Sequence, residues 1–333
     1  MSKKKYYRKA IITGGAGFIG SHMVDLLIKK NFKVIVIDNL SNGNLPNIKA
    51  HLKNKNFFIK KKDINEINTK DYLFRNTDYI FHFAGIGDIV PSIEKPLDYM
   101  KTNVQGTIKI LELARFNKVK KFVYAASSSC YGAVKGKVSE KTKTDVQHPY
   151  ALSKYLGELA VFHWHKVYNL PVNSIRIFNA YGPRVRTSGA YGAVIGVFFK
   201  QKLSGKPLTI VGDGKQTRDF VHVSDVVKGF YLAATTKLSG STFNLGAGKP
   251  TNINTLANIV GGKKVFIPNR PGEPRHLYAE NKLIKSKLNW KAKIEFKDGI
   301  TKMLEDIDKW KNAPLWTKKN IKVATKNWFK YLK

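Results

Sequence analysis

The sequence predicts an α/β fold, a doubly wound parallel sheet with a smaller mixed α/β lobe on its C-terminal side. Three observations predict it. An apolar run, Ala10 Ile11 Ile12, opens straight into Thr13 Gly14 Gly15 Ala16 Gly17 Phe18 Ile19 Gly20, the pattern of a buried strand that turns through glycines into a helix. Short apolar runs then alternate with helical periodicity as far as residue 178, and such alternation builds a parallel sheet with helices on both faces. Beyond about residue 180 the segments shorten and fill with Gly and Pro, as in Gly182 Pro183 and Gly212 Asp213 Gly214, which marks the smaller lobe.

Taken in order, residues 18–29 carry Ile19, Met23, Leu26 and Leu27 at helical spacing, and Lys33 Val34 Ile35 Val36 Ile37 reads as a buried strand ending in Asp38. Strands follow at residues 56–60, before Asp63, and at 79–83, before Ala84 and Gly85. A long helix over 96–116 carries Asn103. Residues 121–126 form the next strand, ahead of Ser127 Ser128 Ser129, then comes a helix over 150–168 and a strand over 172–178. The sheet is expected to be nearly complete there. Residues 1–180 are assigned to the nucleotide-binding domain, with segments near 220–235 returning to it, and 181–333 to a substrate-binding lobe. At the end, Pro314 Leu315 Trp316 Thr317 starts a helix whose Ile321, Ala324, Trp328 and Leu332 share one face among lysines. Such a basic amphipathic helix packs on its own protein or lies on an anionic membrane; the first is the expectation here.

Composition narrows the function classes. A formal net charge of +36 invites nucleic acid as a partner. Arginine, the residue suited to bidentate phosphate and guanine contacts, occurs only nine times, and lysine is spread over every element. The charge is therefore read as lysine bias that draws in anionic small molecules, with no nucleic acid and no stable membrane association. One cysteine, Cys130, leaves no intramolecular disulfide and no cysteine-based zinc cluster. No run of eighteen apolar residues is present and the basic start leads into a strand, so a cytoplasmic address is expected. His163 and His165 lack a carboxylate or cysteine set and are not read as metal ligands; no metal is expected.

The residues that carry chemistry form two groups. The glycine turn, with Gly14 and Gly17, lets backbone N–H groups approach a pyrophosphate at a helix start. Asp38 stands 24 residues after Gly14, placed to accept hydrogen bonds from an adenosine ribose and to repel a 2′-phosphate. With no arginine in Asn39 Leu40 Ser41, NAD is the expected cofactor. Asp63 is a candidate for the adenine edge. Tyr150 and Lys154 form the second group: a spacing of four puts both on one helix face, where the ammonium can lower the phenol pKa and hold the nicotinamide ribose.

Together these stretches resemble the extended short-chain dehydrogenase/reductase family. The resemblance runs from Thr13–Gly20 through Asp38 Asn39 Leu40, His82 Phe83 Ala84 Gly85, Asn103, the serine run before Tyr131 Gly132, and Tyr150 with Lys154. It continues through Arg176 Ile177 Phe178 Asn179 Ala180 Tyr181 Gly182 Pro183 Arg184, residues 217–226 and Arg270 Pro271 Gly272 Glu273 Pro274 Arg275. It implies a Rossmann-type NAD domain in which Phe18, Ile19, Asn39, Ile64, Phe83, Ala84, Gly85 and Asn103 also lie against the cofactor. It implies a nucleotide-sugar substrate touched by Ser128 and Ser129, with Asn179, Arg218 and Arg275 on the diphosphate. Leu277 matches the position that limits the sugar pocket.

The serine run implies the reaction. Family members that dehydrate the sugar carry Thr Asp Glu where this chain has Ser127 Ser128 Ser129, so acid and base for that step are missing here. A serine at 127 resembles the UDP-glucose and UDP-N-acetylglucosamine 4-epimerases. Cys130, one residue before Tyr131, is given a packing role. The resemblance implies C4 epimerisation through a transient 4-keto sugar, with Ser127, Tyr150 and Lys154 catalytic. A 4-dehydrogenase releasing the ketone and a non-catalytic NAD-binding surface protein are the alternatives. It also implies a homodimer through the helix of Tyr150 and the helix before it.

Overall fold

The computed structural model describes residues 7–68, 70–187, 194–271 and 273–332; Gly272 lies outside them. Seven parallel strands form the main sheet in the order Ser241–Leu245, Val172–Ile177, Lys121–Ser127, Tyr79–His82, Lys9–Thr13, Lys33–Asp38, Phe57–Lys61. Residues alternate between faces along each strand. Ala10 and Ile12 therefore enter the core on one side and Ile11 the core on the other, each with no exposed surface. The doubly wound sheet expected from the sequence is present. Its order reverses between Lys9–Thr13 and Tyr79–His82, and the crevice beyond the carboxyl ends of those strands is where a doubly wound sheet binds ligands.

The seventh strand, Ser241–Leu245, completes a sheet whose other six strands all lie before residue 180. It arrives after the helix Val223–Thr235, which packs Val226, Val227 and Phe230 into the same core as the first strand. Residue 180 does not divide the chain cleanly. The strand Gly136–Val138 joins the second sheet beside His276–Ala279, while Ile284, Leu288 and Trp290 pack back into the first core. Burial of large apolar side chains, which is blind to chain order, decides both exchanges.

A second core gathers Phe198, Phe199, Leu256, Ile300, Trp310 and Ile321. The tail enters it as two short helices, Lys318–Ala324 and Lys326–Tyr331, and not as the single helix expected. Thr317 caps the first. At Thr325 the side-chain hydroxyl donates to the Ile321 carbonyl (2.8 Å), and hydroxyl back-bonding of this kind bends or interrupts helices. Ile321 and Trp328 are both buried, so the apolar face is spent on the chain itself. Among the described residues no helix is long and apolar enough to cross a membrane.

The long helix expected over 96–116 is likewise interrupted, by a widened π turn at Lys101–Gln105 between Pro96–Met100 and Gly106–Phe116. Just beyond that turn, Thr107 shares a fully buried His82: Thr13 Oγ1 and Thr107 Oγ1 lie 2.7 and 3.0 Å from its two ring nitrogens. Burial pushes this imidazole down to about 3. Below pH 6.5 the unfolded chain takes up a proton that the folded chain refuses, so stability falls as pH drops from 6.5 towards 3. At about 1.4 kcal/mol per pH unit, His82 alone removes roughly 2 kcal/mol between neutrality and pH 5. Urea unfolding at the two pH values checks this; His82→Gln should flatten the difference.

Candidate active site

The first glycine turn is shaped by close approach. Gly14 sits at φ +69°, and a Cβ there would meet the Ala84 nitrogen at 2.7 Å. Gly20 packs so tightly on the turn that a Cβ would fall 2.2 Å from the Gly14 carbonyl. The helix Phe18–Lys29 consequently starts against the ends of two strands. Its N-cap, Gly17, offers no side-chain cap and its first turn carries no acid, which leaves the first N–H groups and the positive helix end facing the crevice. That is a site for a pyrophosphate.

Asp38 closes the neighbouring strand. It is 7% exposed, with Oδ2 accepting from the Ala16 N–H (2.9 Å) and Oδ1 from the Leu40 N–H (2.8 Å). Burial raises its pKa and these two bonds oppose the rise. Each carboxylate oxygen keeps a further lone pair for a ribose hydroxyl. Asp63 is held by Asn65 and by the Asn39 amide (2.8 Å). A cavity of about 650 Å³ runs along these groups, lined by Gly14, Gly17, Phe18, Ile19, Asp38 and Asn39, then Asp63, Ile64, Phe83, Ala84 and Gly85, and ending at Ser127, Tyr150 and Lys154. It has the volume, the uncapped helix start and the single buried carboxylate that a dinucleotide without a 2′-phosphate requires.

Asn103 lies directly behind Gly85 of the cavity wall. It is 1% exposed and does not line the cavity. Its Oδ1 accepts from the Ile86 N–H (2.7 Å), while Nδ2 donates to the Ile86 carbonyl (3.0 Å) and to Ser153 Oγ (2.9 Å). Ser153 in turn donates to the Tyr150 carbonyl. The amide thus ties the loop after Phe83 to the Tyr150 helix, while Oδ1 keeps a second lone pair.

The helix Pro149–Tyr168 begins at His148, whose Nδ1 accepts from the Ala151 N–H (3.1 Å), with proline at the first turn. Burial pushes His148 down to about 4, keeping this acceptor neutral. Tyr150 and Lys154 share the inward face. Burial raises the Tyr150 phenol, and hydrogen bonding with Ser127 draws it back. Lys154, pushed down to about 8 by burial, has its Nζ 4.5 Å from the centre of the Tyr124 ring. Desolvation dominates both groups, and Ser127 supplies the opposing bond.

A second cavity, of about 410 Å³, meets the first at Ser127 and Tyr150. Ser128, Ser129, Asn179, Arg218 and Leu277 line it. Ser127 accepts from the Ser129 hydroxyl at 2.8 Å. Arg275, expected on a diphosphate, points elsewhere: it is about half exposed and pairs with Asp213 at 2.6 Å on the Gly212–Gly214 turn. The cavity takes Arg270 in its place. Glu273 stands between the two cavity arginines, 2.5 Å from Arg218 and 3.8 Å from Arg270, so both guanidinium groups converge on one spot.

The run Gly87 Asp88 Ile89 Val90 Pro91 Ser92 is read from the sequence as lining the sugar, and Asp88 does line both cavities; sequence reasoning missed Arg186, which lines the first cavity 3.9 Å from Asp88. Asp88 carries φ +72°, a strained conformation for a side-chain-bearing residue, and the Tyr99 hydroxyl holds its carbonyl at 2.9 Å. Trp328, from the tail, lines the second cavity too. Cys130 is buried in a small cluster with Tyr131, Phe178 and Leu277, its thiol pushed up to about 12 by burial, as suits a packing residue. Among the described residues no cluster of three or more His, Cys, Asp or Glu could hold a metal ion.

Comparison with known proteins agrees with this geometry. The model of the family described as "NAD dependent epimerase/dehydratase family" matches residues 10–246. A putative UDP-glucose 4-epimerase of Methanocaldococcus jannaschii is 38% identical over 306 residues, covering 88% of this chain and 96% of that protein. Among solved structures, a UDP-N-acetylglucosamine 4-epimerase from Methanobrevibacter ruminantium M1, in complex with UDP-N-acetylmuramic acid, superposes with a TM-score of 0.85 at 30% identity. It covers 91% of this chain and 98% of the other. A UDP-glucuronic acid 4-epimerase from Bacillus cereus, with UDP-glucuronic acid and NAD, gives the same TM-score and identity over 90% of this chain and 99% of its own.

Proposed function

The chain belongs to the NAD dependent epimerase/dehydratase family, and we propose that it inverts C4 of a UDP-activated hexose or N-acetylhexosamine. One observation carries the reading: among the described residues, Tyr150 and Ser127 are the hydroxyl-bearing side chains that line both the dinucleotide cavity and the second cavity. NAD, when bound, accepts a hydride from C4 and returns it to the other face of the same carbon.

The chain's own groups do the rest. Tyr150 Oη takes the proton of the C4 hydroxyl and later gives it back. Ser127 Oγ, relieved of one hydrogen-bond duty by the Ser129 hydroxyl, holds that C4 oxygen in line with the phenol. Lys154 presents a cation to the nicotinamide ribose from the same helix face. Serine hydroxyls at 128 and 129 supply neither acid nor base for elimination, which leaves re-reduction or release for a 4-keto hexose without a C6 carboxylate. Arg218 and Arg270 grip the diphosphate in place of Glu273, by charge-assisted bonds suited to a guanidinium fork. Anchoring there leaves the hexose free to turn.

A second reading, in which the hexose carries a C6 carboxylate, is favoured by Arg186 on the wall of the first cavity, half exposed beside Asp88, which lines both cavities. A third keeps the oxidation but releases the 4-keto sugar. Incubation with UDP-glucose, UDP-N-acetylglucosamine and UDP-glucuronate, followed by chromatography of the products, tests all three. The C4 epimer without net NADH supports the proposal; NADH accumulating without an epimer overturns it.

The two arginines give a sharper check. A charged hydrogen bond is worth about 1.5–3 kcal/mol, so Arg270→Ala should raise the KM for the UDP-sugar roughly 10- to 100-fold. Arg275→Ala, which removes only a surface ion pair, should leave it within about 2-fold.

Assembly follows from exposed apolar side chains. Leu152, Leu159 and Val167, spaced by seven and eight residues, share one face of Pro149–Tyr168, with Phe116 exposed at the end of the helix before it. Two copies related by a two-fold axis would cover this stripe. The reading is a homodimer, and a monomeric mass in solution would contradict it.

A further inference from the structure

The tail beyond Ala313 reaches across the molecule. It starts fastened to the second core, where Gln201 Nε2 donates to the Trp316 carbonyl (2.6 Å) and Ile321 is buried. It ends against the helix Ile89–Glu94, where Asn327 Nδ2 donates to Glu94 Oε1 (3.4 Å). That helix follows Asp88, at the junction of the two cavities.

Between these fastenings sits Trp328. It is 4% exposed, donates from Nε1 to the Pro271 carbonyl (2.7 Å), and has the Arg270 guanidinium 5.5 Å from its ring. A buried indole with its N–H satisfied can be no more than filling, because a large aromatic that excludes water stabilises wherever it fits. Its two partners argue for more. Both lie on the 270–274 loop, one the backbone that sets the loop's height, the other the cation that this loop delivers to the second cavity. Trp328 also forms part of that cavity's wall.

We propose that Trp328 is a positioning residue for nucleotide-sugar binding: its ring and its N–H together fix Arg270 and Pro271 so that Arg270 faces the diphosphate. This rests on reading the second cavity as a nucleoside-diphosphate site. The tail is then a strap joining the helix beside Asp88 to the arginine loop, and the diphosphate grip is complete only with the strap docked. Without the indole the guanidinium loses the ring face it packs on, and a bidentate contact tolerates little rotation. The indole's hydrogen bond and ring contact go to Pro271 and Arg270, so the chemical step at Tyr150 should be unchanged.

The test uses the full chain with its bound NAD, UDP as the calorimetric probe, and the UDP-sugar that wild type turns over. Trp328→Ala should weaken UDP binding and raise KM by about 10-fold or more, with kcat within about 2-fold and NAD content unchanged. Trp328→Phe, which keeps a ring but not the N–H, should fall between. In a double-mutant cycle, Trp328→Ala should add little to Arg270→Ala, because both act through one guanidinium. Wild-type UDP affinity in Trp328→Ala, or full additivity in the cycle, overturns the proposal. Should Trp328→Ala fail to melt cooperatively, Trp328→Phe and its cycle with Arg270→Ala decide by the same criteria. If wild type itself binds no UDP, the nucleotide-sugar reading falls and this role falls with it, an outcome distinct from a tryptophan variant that binds UDP normally.

Discussion

Replacing Tyr150 by phenylalanine should cut kcat by about 10³-fold, within the 10²–10⁴ range that a positioned proton acceptor contributes. The loss comes from a single oxygen. Tyr150 lies where the two cavities join, and its ring packs edge-on against Tyr99 (6.3 Å) and parallel to His148 (5.9 Å). A phenylalanine keeps both ring contacts and the helix start that His148 caps. Fold, NAD content and UDP affinity should therefore survive, which separates a chemical defect from a structural one. Steady-state kinetics on the accepted UDP-sugar, with NAD released by denaturation and counted per chain, measures the two sides. Retention of a tenth or more of wild-type turnover would mean that another group moves the C4 proton. Burial raises the phenol and Ser127 draws it down, so Ser127→Ala should act in the same direction by removing the one bond that opposes desolvation.

Local features of the site were legible, and features that depend on tertiary partners were not. The glycine turn could be read because its constraint is local: Gly14 must adopt a positive φ against Ala84, and the helix that follows must begin uncapped. Tyr150 and Lys154 were legible because a spacing of four fixes their common face. Their electrostatics were not, since the Lys154 pKa is set by burial against Tyr124, and spacing says nothing about burial. Two arginines flank Pro271 Gly272 Glu273 Pro274, and which of them enters the cavity is decided by Asp213, more than fifty residues earlier, capturing Arg275. Asn103 matched its motif, yet its amide proved to be a brace between a loop and a helix. The seventh strand and the strap share a cause: each reaches its place through burial against segments far away in sequence, and periodicity carries no such information.

The pair that holds the catalytic helix to the sheet was invisible for the same reason, and its disruption is the largest stability effect expected. Glu158 follows Lys154 by one turn and is 2% exposed; Arg176, on the strand Val172–Ile177, is 8% exposed. Arg176 donates to Glu158 from Nη2 (2.8 Å) and Nε (3.0 Å), and the Ser174 hydroxyl donates to Oε1 (2.6 Å). Nη1 of the same arginine donates to Tyr131 Oη (2.9 Å), whose own hydroxyl donates to Asn244 on the seventh strand. Glu158→Ala leaves that guanidinium buried with no counter-charge, a defect that costs about 3–5 kcal/mol. Urea unfolding of the NAD-loaded protein reads the loss. An apolar pair of similar volume, Glu158→Leu with Arg176→Met, should recover most of it, because a buried ion pair repays little more than its own desolvation. The recovered protein should still differ in one respect. Glu158 raises the Lys154 pKa against the larger lowering by burial, so the apolar pair leaves Lys154 neutral over more of the pH range. Activity of the double variant should therefore decline at a lower pH than wild type as the solution is made alkaline. A single Glu158→Ala variant losing less than about 1 kcal/mol would show that water or a neighbour compensates Arg176. In that case the helix of Tyr150 and Lys154 would owe its position to apolar packing alone.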